Sequence, residues 1–290
     1  MRLCLVLLCM IGRTVLGRLC TQRPTALQHT NLRLRPSQIK MSAFSTDAAD
    51  VAEAPTVVLN ANEVGRRAVA AAEKASRAPE SVRLVCVSKT KPAEAIQQLY
   101  DAGYRHFGEN YFQELVEKAA LLPSDIEWHF IGHLQSSKAA KLVKEVPGLA
   151  AIETVDTAKL AGKLNNACAA AERSPLSVFL QVDTSGEDTK SGVSPGPELM
   201  ELVAYIKEQC PLLNIAGLMT IGAPGDFSCF DRLVEAREEV AAALTIDGEK
   251  PLLELSMGMS GDFEAAIERG ATSVRVGSTI FGARLYPSKA

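Results

Sequence analysis

From residue 82 onward the chain alternates between two hydrophobic rhythms. Short runs rich in apolar and β-branched residues end in turns, and the turns lead into stretches whose apolar positions recur every three or four residues. The runs are VRLVCVSK (82–89), YRHFGEN (104–110), EWHFIGH (127–133), LAAIETV (149–155), SVFLQVDT (177–184), LNIAGLMTIG (213–222), LLELSMGMS (252–260) and SVRVGSTIFG (273–282). Helical stretches begin near Ala93, Tyr111, Gln135, Thr157, Pro197, Phe227 and Asp262, and an Ala-rich segment at 56–77 predicts a leading helix. The order is strand then helix throughout, with no hairpin signal and no compositional break. Eight such units in about 230 residues predict an α/β fold, a single (β/α)8 TIM barrel spanning 47–290. A doubly wound open sheet is the rival, but no G-x-G-x-x-G follows an early strand to support a dinucleotide site.

Charge divides the chain. Residues 1–46 hold seven Lys or Arg and no acidic residue, which leaves 24 basic residues against 34 acidic ones in the remainder. A body that acidic, without a basic run, argues against a nucleic-acid partner. The apolar stretch Leu3–Ile11 is far shorter than the ~20 residues needed to span a bilayer, so no membrane anchor is expected. The Arg-rich, acid-free leader reads as a removable presequence, most simply mitochondrial. Two alternatives stand beside it: a secretory or bipartite plastid leader, or cytoplasmic translation starting at Met41. Cys4, Cys9 and Cys20 fall in the leader, while Cys86, Cys168, Cys210 and Cys229 are scattered without C-x-x-C spacing. They read as small core residues, and no disulfide framework or metal site is expected.

A barrel presents its chemistry at the carboxyl ends of its strands. Lys89 ends the first run, three residues before Pro92, and a desolvated lysine near a second cation becomes a nucleophile toward aldehydes. Lys91 supplies that cation if the backbone stays extended. The other reading of Lys89 is an ordinary rim charge. Met259, Ser260 and Gly261 close the seventh run, with Ser260 a candidate helix N-cap. Arg275, Gly277 and Ser278 close the eighth. Glycine amides and serine hydroxyls in this adjacent pair of loops suit a phosphate, although the same residues also make tight turns. Glu109, Asn110, His133, Gln135, Lys138, Asp183, Thr184 and Thr220 are weaker candidates at other strand ends. His106 and His129 read as mid-strand structural histidines.

Taken together, VSKTKP (87–92), FGENY (107–111), WHFIGHLQ (128–135), GLMT (217–220), SMGMS (256–260) and VRVG (274–277) resemble the pyridoxal phosphate homeostasis protein family, also called the proline synthase co-transcribed bacterial homologs. The similarity runs from about 57 to 287, with a minor departure at Ser137, where Asn is common. It implies a barrel like the amino-terminal domain of alanine racemase, holding pyridoxal 5′-phosphate as a Schiff base on Lys89. Ser260, Gly277 and Ser278 then match the phosphate positions, Arg275 the position opposite the pyridine nitrogen, and Asn110 and Met259 positions that line the cofactor. The resemblance further implies intracellular vitamin B6 homeostasis with little or no turnover, no catalytic residues, and pyridoxal phosphate-dependent apoenzymes as recipients. Oligomeric state stays open between monomer and homodimer.

The alternative is a weak pyridoxal phosphate-dependent amino-acid racemase; a third reading is a barrel enzyme acting on another phosphorylated substrate. An arginine opposite the ring favours a carrier, because a guanidinium keeps its protons and leaves the ring a weaker electron sink. The chain's end soon after the eighth run also carries the expectation that the second domain of alanine racemase, with its tyrosine base, is absent.

Overall fold

The computed structural model describes residues 54–186 and 191–283, so residues 1–46, read from their composition as a presequence, lie outside the described residues. Eight parallel strands close into one barrel in chain order: β1 (Arg83–Val87), β2 (His106–Glu109), β3 (Glu127–Phe130), β4 (Leu149–Val155), β5 (Leu176–Gln181), β6 (Leu213–Met219), β7 (Glu254–Ser256) and β8 (Ser273–Val276). β1 pairs with both β2 and β8, Cys86 opposite Phe107 on one side and Val85 opposite Arg275 on the other, so the ring has no free edge. The helices are α1 (Thr56–Lys74), α2 (Ala93–Asp101), α3 (Phe112–Leu121), α4 (Ala139–Glu145), α5 (Ala158–Ala170), α6 (Pro197–Gln209), α7 (Ser228–Ala243), α8 (Phe263–Glu268) and α9 (Ser278–Phe281).

The hydrophobic runs become strands because they are covered on both faces, as parallel sheets require. Their outer side chains join the helices in the main core, where Phe107 meets Trp128 at a ring separation of 6.0 Å. Inside the barrel the packing is different. Ala151, Phe179 and Met219 form a small separate apolar cluster, and much of the remaining buried inner surface is polar, including His106, His129, Glu153, Ser256 and Arg275. That polarity runs against the branched apolar filling usual for this architecture.

Two differences from the sequence reading concern strand ends. The first run stops at Val87 because the chain turns there: the Lys91 amide donates to the Ser88 carbonyl, and Thr90 adopts φ 62°. The eighth stops at Val276, and residues 278–281 coil into α9 instead of extending the strand. The leading helix then secures this last region. Arg67 and Lys74 of α1 bond Glu264 and Glu268 of α8 at 2.7 Å, and Asn60 Nδ2 donates to the Ile280 carbonyl at 3.0 Å.

Closure depends on one close approach between β6 and β7. A Cβ on Gly217 would lie 2.1 Å from the Glu254 carbonyl oxygen, a backbone atom that cannot swing aside. Gly217→Ala should therefore lower stability by about 1–3 kcal/mol or more, read as a fall in the thermal unfolding midpoint.

Candidate functional site

The carboxyl ends of β1, β7 and β8 surround a cavity of about 250 Å³. Lys89, Met259, Ser260, Arg275, Gly277 and Ser278 all line it, with Lys91 beside them and Val87 and Ile131 as apolar wall. Six of the seven cofactor residues read from the sequence thus meet at one place. Asn110 is the exception. It follows the last residue of β2, its backbone is packed against Gly132, and its side-chain oxygen is buried without a hydrogen-bond partner.

The turn carrying Lys89 is held from below by α3. Ser88 Oγ donates to Glu109 Oε1 at 2.7 Å, and Lys118 Nζ donates to the same oxygen at 2.7 Å and to the Ser88 carbonyl at 2.9 Å. On the other side of Lys89, the Thr90 amide donates to Glu114 Oε2 at 2.9 Å. Backbone groups flanking the lysine are therefore fixed to one helix, and the amine-bearing residue projects from a rigid turn. Lys91 reaches the cavity despite the turn at Thr90. Its Nζ donates to the carbonyls of Phe281 and Ala283, both at 2.9 Å, so this cation also fixes the end of α9.

Opposite them lie the two small-residue loops. Gly258 has φ 90°, and a Cβ there would come within 2.6 Å of the Ala266 side chain, so only glycine permits this turn. Ser260 does not cap α8; Asp262 occupies that position, accepting the Met259 amide at 2.6 Å. Ser260 Oγ instead accepts the amides of Gly277 and Thr279, at 3.2 and 3.5 Å, and so joins the two loops. With its oxygen already accepting, its own proton is available to donate.

Arg275 is buried in the wall, with Nη1 donating to Ser256 Oγ at 2.6 Å and Nη2 to the Thr220 carbonyl at 2.8 Å. Burial lowers its pKa from the ordinary guanidinium value, and the charges of Glu153 and Asp262 act in the other direction. It remains a cation.

Of the weaker strand-end candidates, Glu109 and Thr220 brace the site from behind, through Ser88 and Arg275, while others go elsewhere. His133 and Lys138 are exposed, and Lys138 Nζ lies over the Phe112 ring at 5.6 Å. Asp183 accepts from the amides of Ser185 and Gly186, making a local turn. Among the described residues no cluster of His, Cys, Asp and Glu could hold a metal ion, and no helix is long and apolar enough to cross a membrane. Sequence reasoning missed Glu153 and Lys118. The signal for Glu153 was present as a lone acid inside the apolar run LAAIETV.

The lining side chains decide what the cavity can take. Lys89, Lys91 and Arg275 bring three cations, Ser260 and Ser278 bring hydroxyls, and among the described residues no carboxylate lines the cavity. This donor set fits a small anion that also carries an amine-reactive carbonyl.

Comparison with known proteins points the same way. The family described as "Alanine racemase, N-terminal domain" matches residues 66–285. The chain is 50% identical over 219 residues to the pyridoxal phosphate homeostasis protein of Mus musculus, covering 71% of this chain and 78% of that protein. It is 44% identical over 236 residues to the protein of the same name from Escherichia coli K12, covering 79% and 97%. Among solved structures, PipY of Synechococcus elongatus with PLP bound superposes with a TM-score of 0.60 at 35% identity, covering 76% of this chain and 100% of that one.

The clamp beneath Lys89 has a pH signature. Burial pushes the Glu109 carboxyl up to about 7, against the opposing pull of Lys118 and Ser88. The folded protein keeps a proton there that the unfolded chain releases near pH 4.3. This stabilising contribution is full at low pH and is lost as pH rises through about 7. Glu109→Gln cannot titrate, so relative to the variant the wild type should lose up to about 3 kcal/mol between pH 4.5 and 8, measured by denaturant unfolding across that range.

Proposed function

The chain belongs to the alanine racemase N-terminal-domain family and, within it, to the pyridoxal phosphate homeostasis proteins, and from that premise we propose that it binds pyridoxal 5′-phosphate and serves intracellular vitamin B6 homeostasis. The observation that carries the reading is the joint position of Lys89, Ser260, Gly277 and Arg275 on one cation-lined cavity. The bound group would supply an electrophilic aldehyde and an aromatic ring able to withdraw electrons. Everything else is the work of the chain. Lys89 would hold the group, its amine being the lining nucleophile able to condense with that aldehyde and, in the reverse direction, to release it. Ser260 and Ser278 would bind the phosphate with neutral donors beside Gly277, whose amide is held by Ser260, and Lys91 would offset its charge. Arg275 orients the ring from the pyridine-nitrogen side without giving up a proton.

Holding is better supported than turnover. Racemisation needs a proton acceptor on each face of the reacting carbon. The amines lining the cavity are Lys89, which would carry the group, and Lys91, which is bonded to two carbonyls. We read the protein as a reversible holder, with apoenzymes that need the cofactor as its recipients. The racemase alternative is distinguished by exchange of the alanine α-proton in deuterated water, which should not exceed the rate with free pyridoxal 5′-phosphate. From its composition, the acid-free leader would direct mitochondrial import. Residues 1–46 fused to a fluorescent reporter should then reach mitochondria, and a diffuse or plastid signal would redirect that assignment.

Cofactor binding has a direct optical readout. Wild-type protein loaded with pyridoxal 5′-phosphate should show the visible-region band of a protonated imine, and Lys89→Ala should lose it. Ser260→Ala should keep the band but weaken binding about tenfold, as expected for one lost hydrogen bond to a charged group.

A further inference from the structure

The strongest unexplained feature is a line of buried polar side chains crossing the barrel interior to Arg275. His106 Nδ1 on β2 lies 3.1 Å from His129 Nε2 on β3, and His129 Nδ1 donates to Glu153 Oε1 on β4 at 2.6 Å. The other carboxylate oxygen, Glu153 Oε2, accepts from Ser256 Oγ on β7 at 2.5 Å, and Ser256 Oγ accepts from Arg275 Nη1 at 2.6 Å. Each of the five is 5% exposed or less, and His129, Glu153 and Ser256 are fully enclosed.

Such a chain is not an economical way to fill a barrel. Apolar side chains of similar volume commonly replace a buried ion pair without loss of stability. Its end point is therefore informative, because Arg275 is the one member that also lines the cavity. The two oxygens of Glu153 point in opposite directions along the line, one secured by a histidine and the other reaching the guanidinium through a hydroxyl. The carboxylate and guanidinium are 4.0 Å apart, so the cation has an ionised partner directly behind it. Burial opposes ionisation of Glu153, but the His129 bond, the charge of Arg275 and the Ser256 bond outweigh it, and its pKa lies below the ordinary carboxylate value. An ionised Glu153 also dictates the imidazole tautomer: His129 Nδ1 must carry a proton, and His106 pairs with the opposite ring nitrogen. With Nη2 held by the Thr220 carbonyl, both terminal nitrogens are tied and the plane of the guanidinium is fixed.

We propose that Glu153 is a positioning residue for the cofactor ring, acting through Ser256 to orient Arg275 and balance its charge, with His129 and His106 locking the carboxylate in place. The inference rests on the pyridoxal 5′-phosphate reading of the cavity. Its consequence is that the ring meets a fixed donor whose charge is already compensated. Removing the compensation leaves an unbalanced buried cation facing the same atoms.

Two substitutions separate charge from shape. Glu153→Gln keeps the size of the side chain and loses its charge, whereas Glu153→Asp keeps the charge and shortens the reach. Each purified variant is titrated with pyridoxal 5′-phosphate and followed by absorbance, with thermal unfolding recorded in parallel. Glu153→Gln should bind about tenfold more weakly, the scale of losing one partner of a charged hydrogen bond, and should shift the absorption maximum of the bound cofactor. Glu153→Asp should recover much of both. Ser256→Ala, which removes only the bridging hydroxyl, should weaken binding in the same direction and decides the matter if Glu153→Gln does not fold. Wild-type affinity and an unshifted band in Ser256→Ala and in any folded Glu153→Gln, whatever their thermal stability, would overturn the positioning role. So would an Asp variant no better than the Gln variant. If wild type itself binds no pyridoxal 5′-phosphate, both this role and the reading of the cavity fall; if wild type binds and the variants match it, only the role falls.

Discussion

The constraint on which the site depends is the anchoring of one short turn at the end of β1. Lys89 stands between Ser88, whose carbonyl and hydroxyl are bonded to Lys118 and Glu109, and Thr90, whose amide is bonded to Glu114. A lysine side chain carries about 2 kcal/mol of rotamer entropy, and a mobile backbone would add to what binding must overcome. Fixing both flanking residues to α3 removes the backbone part of that cost. Similar logic holds across the cavity, where Ser260 joins the β7 and β8 loops and Lys91 ties the end of α9 to the β1 loop. The three strand ends that make the site are thus linked to one another as well as to the barrel.

The polar interior follows from the same demand. A buried guanidinium in a barrel wall needs a counter-charge, and the counter-charge needs its own hydrogen bonds. Arg275, Ser256, Glu153, His129 and His106 satisfy one another in sequence across the ring. Apolar filling is confined to side chains such as Ala151, Phe179 and Met219, with Val85 beside Arg275. The barrel gives up interior hydrophobic packing where the cavity wall requires a fixed cation.

The fold was legible because each strand is buried on both faces and therefore appears as a continuous apolar run. Strand ends were not, because Ser88 and Lys89 continue the first run while the backbone turns at Thr90, and Thr279–Phe281 keep strand-like composition inside a helix. Lys89, Ser260 and Arg275 could be named in advance because a cation or hydroxyl at the carboxyl end of a barrel strand is chemically conspicuous. Ser260 was placed in the right loop with the wrong partner: the hydroxyl accepts from β8-loop amides brought near it only by closure of the barrel. Glu153 was hidden for a similar reason. A mid-strand acid reveals that something must neutralise it, but its partners on β3, β7 and β8 are set by tertiary structure.

All of this converges on a single amine. The most direct measurement is borohydride reduction of the cofactor-loaded protein followed by peptide mass mapping. The account predicts one pyridoxyl adduct, on the peptide containing Lys89, with cleavage after that residue suppressed. An adduct on Lys91 or another lysine instead, or no adduct at all, would contradict it.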